Sequence, residues 1–275
     1  MPDSLDDALD GLGPTTVTTG VTSARATLIS RGPTDTVLPF ASVTKPLAAY
    51  AALVAVDNGR VDLDDDVTGD GRTLRHLLAH ASGLPPAEGG PTTAAEKRRI
   101  YSNHGFDLLG QHVEDAVGRP FSEWLRTQVL VPLSMFDTVL DGSPAKDGSG
   151  TVEDLLRFAR ELLEPTLVDP DLADELAAPQ WPDLDGVLPG YGRQEPNPWG
   201  LGFEIRDGKD PHWTHADFPA ATVGHFGQSG SFLWVAREEG LAAAFLCDEP
   251  FGQWAVDGWP AVTRAQLELG REASS

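Results

Sequence analysis

The chain has 275 residues, and its 42 acidic side chains outnumber 20 basic ones, for a formal net charge of −22. That balance excludes nucleic acid and anionic membrane surfaces as partners, and no run approaches the roughly 18 apolar residues of a membrane span. The opening, residues 1–7, is acidic where a secretory leader is basic and then apolar, and Cys247 is the only cysteine, so no internal disulfide forms. These features predict a cytoplasmic protein in which Cys247 is a small buried residue of a strand.

Residues 15–31 are rich in β-branched types and read as one or two strands. Leu47, Tyr50, Ala51, Leu53, Val54 and Val56 then recur at helical spacing, with Pro46 in the first turn and Asn58-Gly59 as the C-cap. Residues 61–67 form a turn-rich connector, residues 73–80 a short helix stopped by Ser82-Gly83, and residues 84–95 a loop rich in Pro, Gly and Thr. Helices follow over 103–118, 121–131 and 151–163, the last opened by Thr151 and Asp154 as a capping box. Frequent prolines from 165 to about 198 argue against long regular elements there.

Strands return over 201–206, 231–236 and 241–247, the last two joined through Arg237 to Gly240 as a hairpin, and a helix over 259–271 closes the chain. Strands near both ends with helices between predict an α+β fold: one antiparallel sheet flanked by helices, with an inserted, mainly helical lobe. The expected bounds are one domain over residues 1–275, its sheet lobe from about 14–60 and 199–272 and its helical lobe about 61–198.

The most informative stretch is Phe40 to Gly59, which sets Ser42 and Lys45 three residues apart at the start of an apolar helix. A serine hydroxyl is a poor nucleophile unless a base lies within hydrogen-bond reach, and residues three apart share one helix face. A helix N-terminus adds free N–H groups and a positive dipole end suited to an oxyanion. The pattern therefore points to acyl transfer through a serine ester. Ser143 and Lys146 have the same spacing but lie among Gly142, Pro144, Gly148 and Gly150, which predicts a surface turn.

Two further fragments carry suitable groups. Tyr101 precedes Asn103 and a helix; its hydroxyl suits relay of the serine's proton, and the Asn103 amide suits holding Lys45 or a substrate carbonyl. Taken alone, the same residues read as an Asn N-cap beside a half-buried Tyr. His225 lies in a segment with glycines at 224, 227 and 230, where the backbone can approach a ligand closely, just before the strand at 231. The pairs His76/His80 and His212/His215 have metal-ligand spacing, but residue 77 is Leu where a catalytic His-Glu-x-x-His site needs Glu, so no metal site is expected.

Taken in order, Ser42-x-x-Lys45, Tyr101-Ser-Asn103 and His225-Phe-Gly227 resemble the three motifs of the penicillin-recognising serine hydrolases. The similar branch is the class C β-lactamase-like one, which includes D-alanyl-D-alanine carboxypeptidases, D-amino-acid peptidases and esterases. Residues 40–45, 74–85, 101–110 and 199–203 are similar to family blocks, and the resemblance runs over roughly residues 20 to 250. It implies the same fold, a site between the sheet and the helical lobe, and no cofactor. By position it implies Ser42 as nucleophile, Lys45 as proton acceptor, Tyr101 as acid/base and Asn103 as a positioning group. The oxyanion hole would be the backbone N–H groups of Ser42 and of Gln228, on the strand after Gly227.

Two departures steer the expected activity. His225 stands where many β-lactamases and carboxypeptidases carry Lys, and an imidazole with a reference pKa of about 6.5 is a weaker partner for a substrate carboxylate. The connection from Pro85 to Tyr101 is short for the family, which implies a more open cleft. The expected activity is therefore hydrolysis of small-molecule esters or small amides through an acyl-enzyme. A β-lactamase or D-Ala-D-Ala carboxypeptidase is the alternative within enzymes, and a catalytically weak penicillin-binding or sensor module the alternative outside them. Oligomeric state is left open by the sequence.

Overall fold

Residues 231–236 and 241–247 are apolar without alternation, the pattern of strands covered on both faces. In the computed structural model, which describes residues 4–274, they occupy the middle of a sheet. Residues 1–3 of the polar opening lie outside the described part.

In chain order the strands are β1 (Val17–Ser23), β2 (Thr27–Arg31), β3 (Leu38–Pro39), β4 (Val139–Leu140), β5 (Gly148–Gly150), β6 (Gly186–Leu188), β7 (Gly192–Gln194), β8 (Glu204–Ile205), β9 (Val223–Gly227), β10 (Ser231–Ala236) and β11 (Leu241–Cys247). The helices are α1 (Leu5–Asp10), α2 (Thr44–Asp57), α3 (Leu74–Leu78), α4 (Asn103–Val117), α5 (Phe121–Leu125), α6 (Val152–Leu163), α7 (Pro170–Ala177) and α8 (Gln253–Ser274). The main sheet is antiparallel throughout, in the order β2-β1-β11-β10-β9-β8. Small sheets β3-β5-β4 and β6-β7 flank the site.

The period of two sorts the strand side chains between two cores. Leu233, Val235, Ala242, Ala244 and Leu246 pack with α2 and α6. Phe232, Trp234, Ala243 and Phe245 point the other way, against Leu5 of α1 and Trp259 and Val262 of α8. Helix α2 is buried on every side, as expected of a helix apolar all round. It runs through the middle of the molecule and fixes what its N-terminus presents. The antiparallel sheet with helices on its faces is the α+β architecture expected from the sequence.

Several elements differ from that reading. The strand expected over 201–206 is limited to β8, two residues long, because Trp199 to Gly202 turn back under α7 with Leu201 N–H bonded to Leu176 O. The helix at 121–131 is α-helical only to Leu125 and widens to a π-helix over 126–130. Thr151 does cap α6, but the Asp154 carboxylate binds Asp137 N–H, Thr138 and Arg157 instead of completing a box. The closing helix starts six residues earlier than expected and carries Pro260 within it. Helices α1 and α7 were not anticipated; α7 follows the rule that proline is tolerated at a helix start, with Pro170 there. Cys247 is buried in β11, as expected. Among the described residues no helix is long and apolar enough to cross a membrane.

Candidate active site

Ser42 does not lie inside α2, as the spacing suggested, but in a 3-10 turn over Ala41–Val43 that leads into it. Ala41 has φ 44°, a left-handed conformation costing a non-glycine residue roughly 1–3 kcal/mol. The surroundings hold it there: Phe40 is wholly buried, its N–H donates to Gly148 O at 2.8 Å and its carbonyl accepts the Ser231 hydroxyl at 2.7 Å. The strained entry turns Ser42 toward a cavity while Lys45 falls in the first turn of α2.

Lys45 is completely buried. Its Nζ donates to Asn103 Oδ1 at 2.6 Å and to Ala145 O at 2.8 Å, and lies 4.5 Å from the centre of the Tyr101 ring. Burial drives its pKa down to about 7, with Asp107 opposing and Lys146 assisting. Ser102 is the N-cap of α4, which leaves the Asn103 side chain free to hold Lys45.

Tyr101 lies beside both the serine and the lysine. Burial pushes its phenol up, and the Ser42 hydroxyl, hydrogen-bonded to it, pulls the other way. His225 is not ahead of a strand but inside β9, paired with Leu233 of β10. Its Nδ1–H donates to Phe226 O at 2.7 Å, so Nε2 is left as an acceptor facing the Tyr101 hydroxyl at 3.4 Å. Burial first, and Lys45 second, lower its pKa to about 3. The imidazole is therefore uncharged at neutral pH, as the residue type suggested. His80, also wholly buried, lies 4.6 Å from the Tyr101 ring, tilted 42° to it, and accepts the Ser102 N–H.

Gly227 closes the site from the sheet side. A Cβ placed on it would come within 2.4 Å of Phe40 O and of Ser231 Oγ, and 3.1 Å of Ser42 N. Gln228 follows in the turn after β9, not on a strand, and its Nε2 donates to Phe251 O. Gly227→Ala therefore displaces the serine turn; the expected result is a fall in kcat/KM of about 100-fold or more at nearly unchanged fold, because a misplacement of about 1 Å costs that much. Ester kinetics alongside thermal unfolding check it.

Ser42, Tyr101, Trp199, His225 and Gln228 share the wall of a cavity of about 90 Å³. Its floor includes Glu204, which no motif flagged. Glu204 Oε1 accepts from Lys209 Nζ at 2.9 Å and His212 Nε2 at 3.1 Å, and Oε2 from Trp213 Nε1 at 2.7 Å. Burial alone raises a carboxyl pKa, but Lys209 and His212 hold this one well below its ordinary value. Removing one member of a buried pair strands the other, so Glu204→Leu is expected to cost about 3–5 kcal/mol in a urea unfolding titration. The sequence signal was a charged residue within the apolar run 201–205 with Lys and His five and eight positions on.

The structure thus brings Ser42, Lys45, Tyr101, Asn103, His225, Gly227 and Gln228 to one place. The four histidines at metal spacing have separate partners: His76 binds Glu96, His215 binds Asp217, and His212 and His80 are held as described. Ser143 to Lys146 is a turn, but not merely a surface one. Ala145 within it is wholly buried, and its carbonyl is a ligand of Lys45.

Known proteins share this fold. The family model described as Beta-lactamase matches residues 16–267. A solved structure of a beta-lactamase (Mb2281c) from Mycobacterium bovis superposes with a TM-score of 0.95 at 43% identity, covering 99% of this chain and 100% of that one. The D-alanyl-D-alanine-carboxypeptidase/endopeptidase AmpH of Escherichia coli is 28% identical over 147 residues, 40% of this chain and 38% of AmpH. Penicillin-binding protein 4* of Bacillus subtilis is 25% identical over 138 residues, 38% of this chain and 31% of that protein. The chain thus matches less than half the length of these two relatives. It belongs to the beta-lactamase family and has the fold shared by β-lactamases and penicillin-binding proteins.

Proposed function

We propose that Ser42 is the acylated nucleophile and that the protein cleaves small esters or amides in two steps. The observation that supports this best is Lys45, completely buried, with its pKa lowered to about 7 beside the Ser42–Tyr101 pair. A neutral amine is a base; an ammonium is not. The Ser42 proton passes to Lys45, relayed through the Tyr101 hydroxyl, which stays a phenol at neutral pH because burial opposes its ionisation. Ser42 Oγ attacks the carbonyl, and the Ser42 and Gln228 N–H groups stabilise the oxyanion. Asn103 holds Lys45, and the proton returns through Tyr101 to the departing group. Water then attacks the acyl-enzyme by the same route.

An ester or simple amide is favoured over a β-lactam because His225 is neutral and spends Nδ1–H on Phe226 O. It offers no fixed cation to a carboxylate at the third motif. The whole chain acts as one domain in this reading, with the cleft between its sheet lobe and helical lobe. One buried cysteine requires no oxidising compartment, and cytoplasmic residence belongs to the same proposal.

Intact-mass spectrometry after mixing with p-nitrophenyl acetate and, separately, a fluorescent penicillin tests the reading. The expected result is an acetyl adduct on Ser42 that turns over, with no lasting penicillin adduct. A stable penicillin adduct with slow release replaces it with a penicillin-binding role. No adduct on Ser42 from either reagent overturns it.

A further inference from the structure

A second cavity, of about 720 Å³, adjoins the first; Tyr101 and Pro189 line both. Ser42 lies in the smaller one, so the acyl side of a bound ester is confined to about 90 Å³ while the other side continues past Tyr101 into the larger cleft. Tyr101, the proton donor to the departing group in the reading above, sits at the boundary.

The rim of this cleft has the opposite charge to the rest of the molecule. Lys97-Arg98-Arg99 is the only run of three basic residues in a chain of net charge −22. Arg99 is the anchor: it is buried, and its guanidinium donates to Ala79 O at 2.6 Å, Gln180 O at 2.8 Å, Trp181 O at 2.9 Å and Asn197 O at 3.0 Å. Its own N–H donates to Asp185 O at 2.7 Å across a close bridge to Gly186, where a Cβ would meet Arg99 Cβ at 2.7 Å. Lys97 and Arg98 are thereby presented, exposed, on the cleft wall beside Tyr101. Among the described residues neither has an acidic partner. Across the cleft Arg193 is paired with Asp185 and Glu195, and Asp185 is the only acid on the cleft wall. A net-acidic protein has gathered unpaired cations on the cleft that adjoins the cavity of its serine.

From this juxtaposition we infer that the substrate carries an anionic group on its leaving side, held by Lys97 and Arg98 at the mouth of the cleft, while the transferred acyl group is small. The inference rests on the serine-hydrolase reading for which side departs. It places anion recognition about Tyr101 rather than at His225, whose imidazole is uncharged. Field lines from a cationic rim between low-dielectric walls also draw an anion through the repulsion of the surrounding surface.

The test measures binding without turnover. Ser42→Ala protein is titrated calorimetrically with 4-acetoxybenzoate and with its neutral methyl ester, which share one acyl group. The same titrations follow on Ser42→Ala/Lys97→Glu/Arg98→Glu, at low and at physiological salt. The anion is expected to bind about tenfold tighter at low salt, with the preference shrinking at higher salt and vanishing in the triple variant. Equal or weaker binding of the anion, binding of neither, or a preference that survives in the triple variant overturns the inference. Hydrolysis of the same two esters by the wild-type protein is scored separately. Anion preference without hydrolysis leaves the cleft as inferred and removes the serine-hydrolase reading; hydrolysis without preference does the reverse.

Discussion

Ser42→Ala is expected to lower kcat for p-nitrophenyl acetate by about 10³-fold or more and to abolish the acyl adduct, since the residual rate of a nucleophile knockout comes only from binding and the oxyanion groups. The fold should hardly respond. Ser42 is only partly buried, and its side chain is hydrogen-bonded to the Tyr101 hydroxyl, which keeps His225 Nε2 as an alternative acceptor at 3.4 Å. A thermal midpoint within a few degrees of wild type separates lost chemistry from lost structure. Ser143→Ala is the internal control. Its hydroxyl binds Asp107 and accepts the Ala145 N–H, so it shapes the turn whose carbonyl holds Lys45 without reaching the substrate cavity. It should cost a few-fold at most. A Ser42→Ala protein within tenfold of wild type would sink the nucleophile assignment.

The contrast between the two Ser-x-x-Lys segments shows how far sequence reaches in this chain. Turn residues around Ser143 and an apolar helix after Ser42 distinguish them correctly, because both signals are local: glycine and proline set backbone conformations, and burial of α2 follows from its composition. What stayed hidden travels through the backbone or over long range. The Ala145 carbonyl has no side-chain signature, and it meets Lys45 across 100 positions of sequence. The left-handed Ala41 is a conformation that alanine does not advertise, imposed by bonds from Phe40 to Gly148 and Ser231. Residue types at 225–230 gave a glycine-rich approach to a ligand, but placing His225 within β9 needed its pairing with Leu233. Glu204 belongs to no motif, and its place in the site appears only where Lys209, His212 and Trp213 fold back over it. The order of the fold, strands from both ends around a helical middle, was legible because the strands are short β-branched or apolar runs bounded by turn residues and the longer middle helices repeat at helical spacing.

Lys45 links both activity and stability to pH, and both are expected to rise with it. In the proposed mechanism the neutral amine is the base, so kcat/KM should rise as pH passes through about 7 and then level. Lys45→Arg, which cannot shed its proton, should be inactive across the range. For stability, the folded pKa of about 7 lies below the ordinary lysine value of 10.5. Between those values the unfolded chain binds the extra proton, so stability rises with pH there; below pH 7 both states are protonated and the cost of a buried ammonium is constant. The wild-type protein should therefore gain on Lys45→Met by about 2–3 kcal/mol between pH 7 and pH 9, at about 1.4 kcal/mol per unit. Loss of the bonds to Asn103 and Ala145 offsets the variant by an amount that does not vary with pH, so the slope of the difference isolates the amine. Urea titrations of both proteins at pH 6, 7.5 and 9 measure it. A difference that is flat with pH would show that Lys45 titrates as it does in water, and a fully protonated lysine at pH 7 would leave Ser42 without its base.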